Sequence, residues 1–201
     1  MSSRLLYEGA KSANNDVEYW KGIDINEYYI ADKTNRFCRT DIKLSDNERV
    51  ILNKEYFEIA PKLIWRQTAP YPICAVDYRG IWFGRSIQAG IIKRAFIDKV
   101  SYEYLCGLLN SKYLRYLYNQ NVQESGRVFP QVKLEKLKPL PIIIADNQKP
   151  IVDLVEKIID LKMSNSKSQT KDLESEIDKL VYQLYGLSDE EIKIVEDCHS
   201  N

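Results

Sequence analysis

A chain of 201 residues is long enough to bury one hydrophobic core, with at most a small appendage. Charged residues make up 29% and hydrophobic residues 44%, which fits a folded, water-soluble protein and excludes a disordered one. The zero net charge hides an asymmetry: residues 61–140 hold 13 Lys/Arg against 5 Asp/Glu, whereas residues 141–201 hold 7 against 13. A basic middle followed by an acidic tail lets one region meet phosphate while the whole chain stays neutral; ordinary segment-to-segment variation in charge gives the same count.

No apolar run approaches the roughly 20 residues needed to span a bilayer, and the first residues, MSSRLLYEGAKSANND, lack the apolar core of a signal peptide. Cys38, Cys74, Cys106 and Cys198 are scattered singly, in neither a disulfide framework nor a zinc pattern. That usage suits a reducing cytoplasm, where the chain is expected.

Taken in chain order, residues 1 to about 145 read as mixed α+β. KGIDINEYYI offers Lys21 to a phosphate, with Tyr28 and Tyr29 as structural residues. LIWRQ, PICAVDY and GIWFGRSIQAGIIK are short β-branched and aromatic runs, interrupted by Pro70 and Pro72, with a DYRG turn at Asp77–Gly80. Ser101 is the expected N-cap of a helix running to about Asn119, with Tyr102, Leu105, Leu109, Tyr113 and Tyr116 on one face and Lys112 and Arg115 at its edge. A polar loop with Gly126 and Arg127, a strand through Phe129 and Gln131, and a basic run (Lys133, Lys136, Lys138) follow, closed by Pro139 and Pro141.

Beyond residue 145 the pattern becomes helical. Ile151, Leu154, Val155, Ile158 and Leu161 share one face of a first helix. Leu173, Ile177, Leu180 and Leu184 line a second, with Gly186 as its C-cap and a Ser188/Glu191 capping box opening a short last helix. The expectation is an α+β fold: a mixed-sheet unit over residues 1–145, then an antiparallel helical hairpin over 146–201. The apolar stripes of that hairpin must be covered by the body, by a second copy or by another subunit.

A catalytic centre is hard to assemble from these residues. There is no glycine-rich phosphate or dinucleotide loop and no Asn-Pro-Pro-aromatic motif, and the single histidine, His199, lies two residues from the end. Spacings such as Asp41/Lys43 and Glu135/Lys138 arise by chance in so charged a chain. Residues suited to binding are more plentiful. Arg66, Gln67 and Thr68 follow a strand, where they could read guanine and adenine or form a solvated strand end. Arg79 sits in the DYRG turn, where it is either a freely projecting contact or an ordinary turn charge. Arg85 and Ser86 lie beyond Trp82 and Phe83, which read as core. Lys133, Lys136 and Lys138 suit phosphate contacts or a solvated face.

The segments LLNSKYLRYLY, GRVFPQVK and LKPLPI, together with KGIDINEYYI, APKLIWRQTAPYPICAVDYRGIWFGRSI, QKPIVDLVEKIIDLK and LESEIDKLVYQLYGLSDEEIKIVE, occur in an order that resembles the target-recognition domains of restriction–modification systems. These include type I specificity subunits and the TaqI-like C-terminal specificity domains of type II enzymes that restrict and methylate. The resemblance implies a non-catalytic module that reads double-stranded DNA and directs a methyltransferase domain or subunit. That partner would use S-adenosylmethionine; this chain itself would need no cofactor and no metal. It further implies that the C-terminal helices space recognition domains, forming a homodimer through their stripes or docking on the methyltransferase. The rivals are a small DNA-processing enzyme with an unfamiliar site and a purely structural interaction subunit. Turnover on DNA by the chain alone would favour the first, and the absence of salt-dependent DNA binding the second.

Overall fold

A computed structural model describes residues 4–43, 53–121 and 130–199. Its centre is the strand β6 (Lys62–Arg66), buried on both faces as its unbroken KLIWR run requires. β6 lies between two antiparallel partners, Cys74–Asp77 and Ile87–Gly90. Because side chains alternate along a strand, Leu63 and Trp65 join Cys74 and Val76 on one face, while Ile64 joins Ala75 and Ile87 on the other. Each face nucleates its own core.

The smaller core lies on the Ile64 side. It is closed by a four-stranded sheet in which β1 (Leu6–Glu8), β5 (Arg36–Cys38), β2 (Val17–Trp20) and β8 (Trp82–Phe83) are neighbours in that order; only the β2–β8 pairing is parallel. The hairpin β3 (Ile25–Asn26) and β4 (Tyr29–Ile30) and the helix α1 (Lys54–Glu58) complete it, with Phe57 stacked on Trp82 at 4.6 Å. Trp82 and Phe83 are buried here, as core residues.

The larger core lies on the Leu63 side, between β6, β7 (Cys74–Asp77) and the helices. β9 (Ile87–Gly90) leads through a single 3-10 turn, Arg94–Phe96, to α2 (Tyr102–Asn110). Ser101 caps α2 as expected, its hydroxyl accepting from the Tyr104 N–H at 3.1 Å. The expected single helix is two, however. Ser111 leaves helical backbone at φ −66, ψ 150, donates its hydroxyl to Leu108 O at 2.6 Å and accepts from the Leu114 N–H; α3 (Lys112–Asn121) then starts afresh. The break also turns the face. Tyr104, Cys106, Leu108, Leu114 and Tyr118 are fully buried; of the expected face Leu109 is buried, while Tyr102, Leu105, Tyr113 and Tyr116 are only partly buried.

The basic run after Val132 is a one-turn helix, α4 (Leu134–Leu137), and the strand expected before it is reduced to an isolated bridge between Thr68 and Gln131. The part of that strand through Phe129 lies outside the described residues. α5 (Lys149–Ser164) and α6 (Lys171–Tyr185) form the expected antiparallel pair; Gly186 ends α6 at φ 66, and the Ser188/Glu191 box opens α7 (Asp189–His199).

The stripes of this pair do not wait for a partner. Ile151, Val155, Ile158 and Ile177 are at most 5% exposed within the chain's own larger core, and Leu154, Leu173, Leu180 and Leu184 pack against its edge; Leu161 alone of the nine stays exposed. Gly107 is the reason α5 fits so closely on α2. A Cβ there would stand 2.7 Å from the Ile151 Cγ2 methyl and 3.0 Å from that of Val155. The requirement for a second copy to cover the stripes therefore falls away: α2 and α3 cover them. The architecture is α+β, as expected. No helix among the described residues is long and apolar enough to cross a membrane.

Candidate nucleic-acid interface

The polar residues singled out from the sequence separate into three groups, and the first gathers at one end of β6. There the strand end Arg66 pairs with Ile87, the Gln67 N–H donates to Ser86 O at 2.9 Å, and the Val132 N–H donates to Gln67 O at 2.7 Å. A 3-10 turn, Gly22–Asp24, closes against the same loop, with the Gly22 N–H donating to the Ser86 hydroxyl at 3.0 Å. Lys21, Gln67, Thr68, Arg85, Ser86, Gln131 and Lys133 thus come from four separate segments to one edge. Lys21, Thr68, Arg85 and Gln131 are exposed, and α4 carries Lys136 and Lys138 onward from it.

This edge is rigid because backbone groups tie it. Gly22 is needed for that: a Cβ at this position would meet Ser86 O at 2.7 Å. The turn itself is closed by the Lys21 N–H donating to Asp24 Oδ2 at 2.7 Å, and Asp24 also pairs with Arg36. Arg66 supports the edge from behind. Its guanidinium donates to Ile25 O and, at 2.9 Å, to Asn26 Oδ1, which fixes the β3–β4 hairpin. Lys21 also pairs with Glu8 at 3.4 Å, an exposed contact that a phosphate can displace. The guanidinium of Arg85, in contrast, makes no hydrogen bond or ion pair with any described residue.

Arg79 belongs elsewhere. It stands beyond the other end of β6, about 13 Å away by strand rise. There it donates to Ala31 O and Asp32 O at 2.9 Å and lies over the Trp20 ring. Its turn is organised by Asp77, whose carboxylate accepts from the N–H groups of Arg79, Gly80 and Ile81. Asp77 is fully buried with Lys62 at 2.6 Å, and the Lys62 ammonium also donates to Phe57 O and Ile59 O. Both charges are thereby satisfied, which is the condition for burying them.

Lys112 and Arg115 form the third group, turned inward. Lys112 pairs with Glu196 at 2.6 Å and Asp178 at 3.7 Å. Arg115 is 7% exposed, pairs with Glu27 at 2.7 Å and covers the Tyr71 ring. Burial raises the Asp178 carboxyl above its ordinary range, outweighing the Lys112 N–H and ammonium beside it. Next to Glu27, Tyr28 adopts a left-handed φ of 62, held there by its buried ring and by its N–H donating to Cys74 O at 2.8 Å. Arg127 lies outside the described residues.

Several of these partners had no signature in the sequence. Asn26 and Glu27 anchor cations 40 and 88 residues away, and Asn110 closes the free edge of β7 by pairing both of its amide atoms with the Cys74 backbone at 2.9 Å. Only the Lys21–Asp24 turn had a local clue, an acidic side chain three residues after the turn's first position.

Residues 17–142, which hold the whole edge and the strand β6 that both cores share, match the model of the TaqI-like C-terminal specificity domain. The chain belongs to that family. It is also 36% identical over 108 residues to a putative type II restriction enzyme and methyltransferase of Methanocaldococcus jannaschii, covering 48% of this chain and 9% of that protein. The chain therefore spans less than a tenth of that relative's length. Family membership places this specificity domain in a DNA-recognition role within restriction–modification. Among its described residues, no group of three or more His, Cys, Asp or Glu side chains could hold a metal ion.

Proposed function

We propose that this specificity domain reads the sequence of double-stranded DNA through the edge at the end of β6 and directs a methyltransferase to that site. The observation that carries the reading is the convergence of Lys21, Gln67, Thr68, Arg85 and Gln131 from four segments onto one hydrogen-bonded, exposed edge. Arginine and glutamine side chains recognise guanine and adenine in the major groove, and lysines neutralise phosphate. Lys136 and Lys138 extend the basic character along α4 and supply phosphate contacts. Methyl transfer from S-adenosylmethionine belongs to the methyltransferase part and needs no group in this chain.

Selection of bound duplexes from a random DNA pool tests the reading, performed with the chain alone and with the cognate methyltransferase. A consensus sequence and a steep fall of affinity with salt are expected. Replacing Lys136 and Lys138 with Ala should weaken binding about equally for all sequences and lower the salt slope by roughly one per lost phosphate contact. Binding without sequence preference in both arms would sink the proposal.

A further inference from the structure

Ile23 is 75% exposed, more than any other large hydrophobic side chain among the described residues. A lone exposed aliphatic residue is common on protein surfaces. Two features set this one apart. The first is that its backbone is fixed. The turn is closed by the Lys21–Asp24 contacts, pinned to the next loop by the Gly22 N–H on the Ser86 hydroxyl, and pressed so close that only glycine fits at position 22. The branched Cβ of Ile23 leaves little rotamer freedom as well. Several contacts thus hold rigidly a side chain that buries almost nothing and contributes little to folding.

The second feature is its place. Ile23 lies two residues after Lys21, and its turn is bonded to Ser86, the neighbour of Arg85, which has no partner among the described residues. A stiff apolar group set among cations and hydroxyls matches one element of duplex DNA. In the major groove, base edges present donors, acceptors and a single apolar group, the 5-methyl of thymine.

We infer that Ile23 is a specificity-determining residue that packs against the 5-methyl group of a thymine in the recognised site. The inference rests on the DNA-reading function proposed above and assigns to the edge an apolar contact in the major groove. Ile23→Ala removes the contact without touching the hydrogen bonds of the turn, so the variant keeps its fold and its thermal midpoint.

The test uses the selected consensus duplex, made once with thymine and once with deoxyuridine at each thymine position in turn. Deoxyuridine pairs as thymine does and lacks only the methyl group. The wild-type chain should bind the deoxyuridine duplex about fourfold more weakly at one position, the factor that burial of roughly one methyl group implies. Ile23→Ala should bind both duplexes alike at that position, and its selected consensus should relax there. Equal sensitivity of wild type and variant to deoxyuridine overturns the inference, as does a consensus without an A·T pair; DNA reading by the edge survives either result. A wild-type chain that binds thymine and deoxyuridine duplexes alike at every position, while Ile23→Ala weakens binding to all of them, overturns it in favour of a wedge between base steps. A wild-type chain with no sequence preference overturns both this inference and the reading beneath it.

Discussion

Arginine residues of the same chemistry do different work here, and what each already touches decides which. Arg66 spends its donors on Ile25 O and Asn26 Oδ1, so it holds the β3–β4 hairpin under the edge. Arg66→Ala should cost about 1–2 kcal/mol of stability in urea unfolding, with any change in DNA preference following from the loosened hairpin. Arg85 has no such duty. Arg85→Ala should leave stability within about 0.5 kcal/mol and weaken binding to the selected site by roughly 1–3 kcal/mol. A stability loss in Arg85→Ala equal to that in Arg66→Ala would contradict this division. Asp178 offers a separate test. One ammonium, Lys112, serves two carboxylates, with Glu196 nearer and Asp178 more deeply buried. The Asp178 carboxyl is raised in the folded chain, so folding favours its protonated form: its contribution is full below the ordinary carboxylate range and is lost as pH rises through the raised value. Asp178→Asn keeps an oxygen to accept the Lys112 N–H. It should gain stability relative to wild type as pH rises from about 4 to 7, and urea midpoints across that window would reveal the trend. A constant difference at every pH would refute it.

At the scale of elements, the contact of α2 with α5 depends on the missing side chain at Gly107. Gly107→Val forces Ile151 and Val155 away and should destabilise by about 1–3 kcal/mol, read as a lower urea midpoint; an unchanged midpoint would show that α5 can shift freely. The elements from β6 onward were largely legible from the sequence because their signals are local, whereas the two- to four-residue strands β1 to β5 and the five-residue α1 were read only as part of a mixed α+β region. Apolar periodicity marked α5 and α6, Ser101, Gly186 and the Ser188/Glu191 pair marked helix ends, and β-branched and aromatic runs marked β6 to β9. What stayed hidden depends on distant partners. Lys112 looked like a surface cation, yet its two carboxylates lie 66 and 84 residues along the chain. The break at Ser111 was hidden for a related reason: it is fixed by a hydroxyl bonding back to Leu108 O, in a stretch whose residues otherwise favour one continuous helix. Of the candidate site, the edge residues were nameable because exposed polar residues in loops stand out, but their convergence is made by the pairing of β6 with β9 and by the Gly22–Ser86 contact, neither of which is periodic.

At the scale of the whole molecule, the two faces of one strand join the reading edge to the C-terminal helices. β6 presents Ile64 to the smaller core and Leu63 and Trp65 to the larger, which continues unbroken through α2 to Ile158 and Ile177. A chain built this way should unfold as one unit, with α5 and α6 as walls of its core. Ile158 is fully buried in that core, so Ile158→Glu places a charge where no partner awaits it and should cost well over about 4 kcal/mol, enough to abolish cooperative unfolding. If the helix stripes were instead an interface between copies, stability would rise with protein concentration by mass action. The urea midpoint of the wild-type chain should therefore stay constant over a hundredfold range of concentration, and Ile158→Glu should remain unfolded throughout that range. A midpoint that climbs with concentration, together with a folded but monomeric Ile158→Glu, would move these helices out of the core and into an interface.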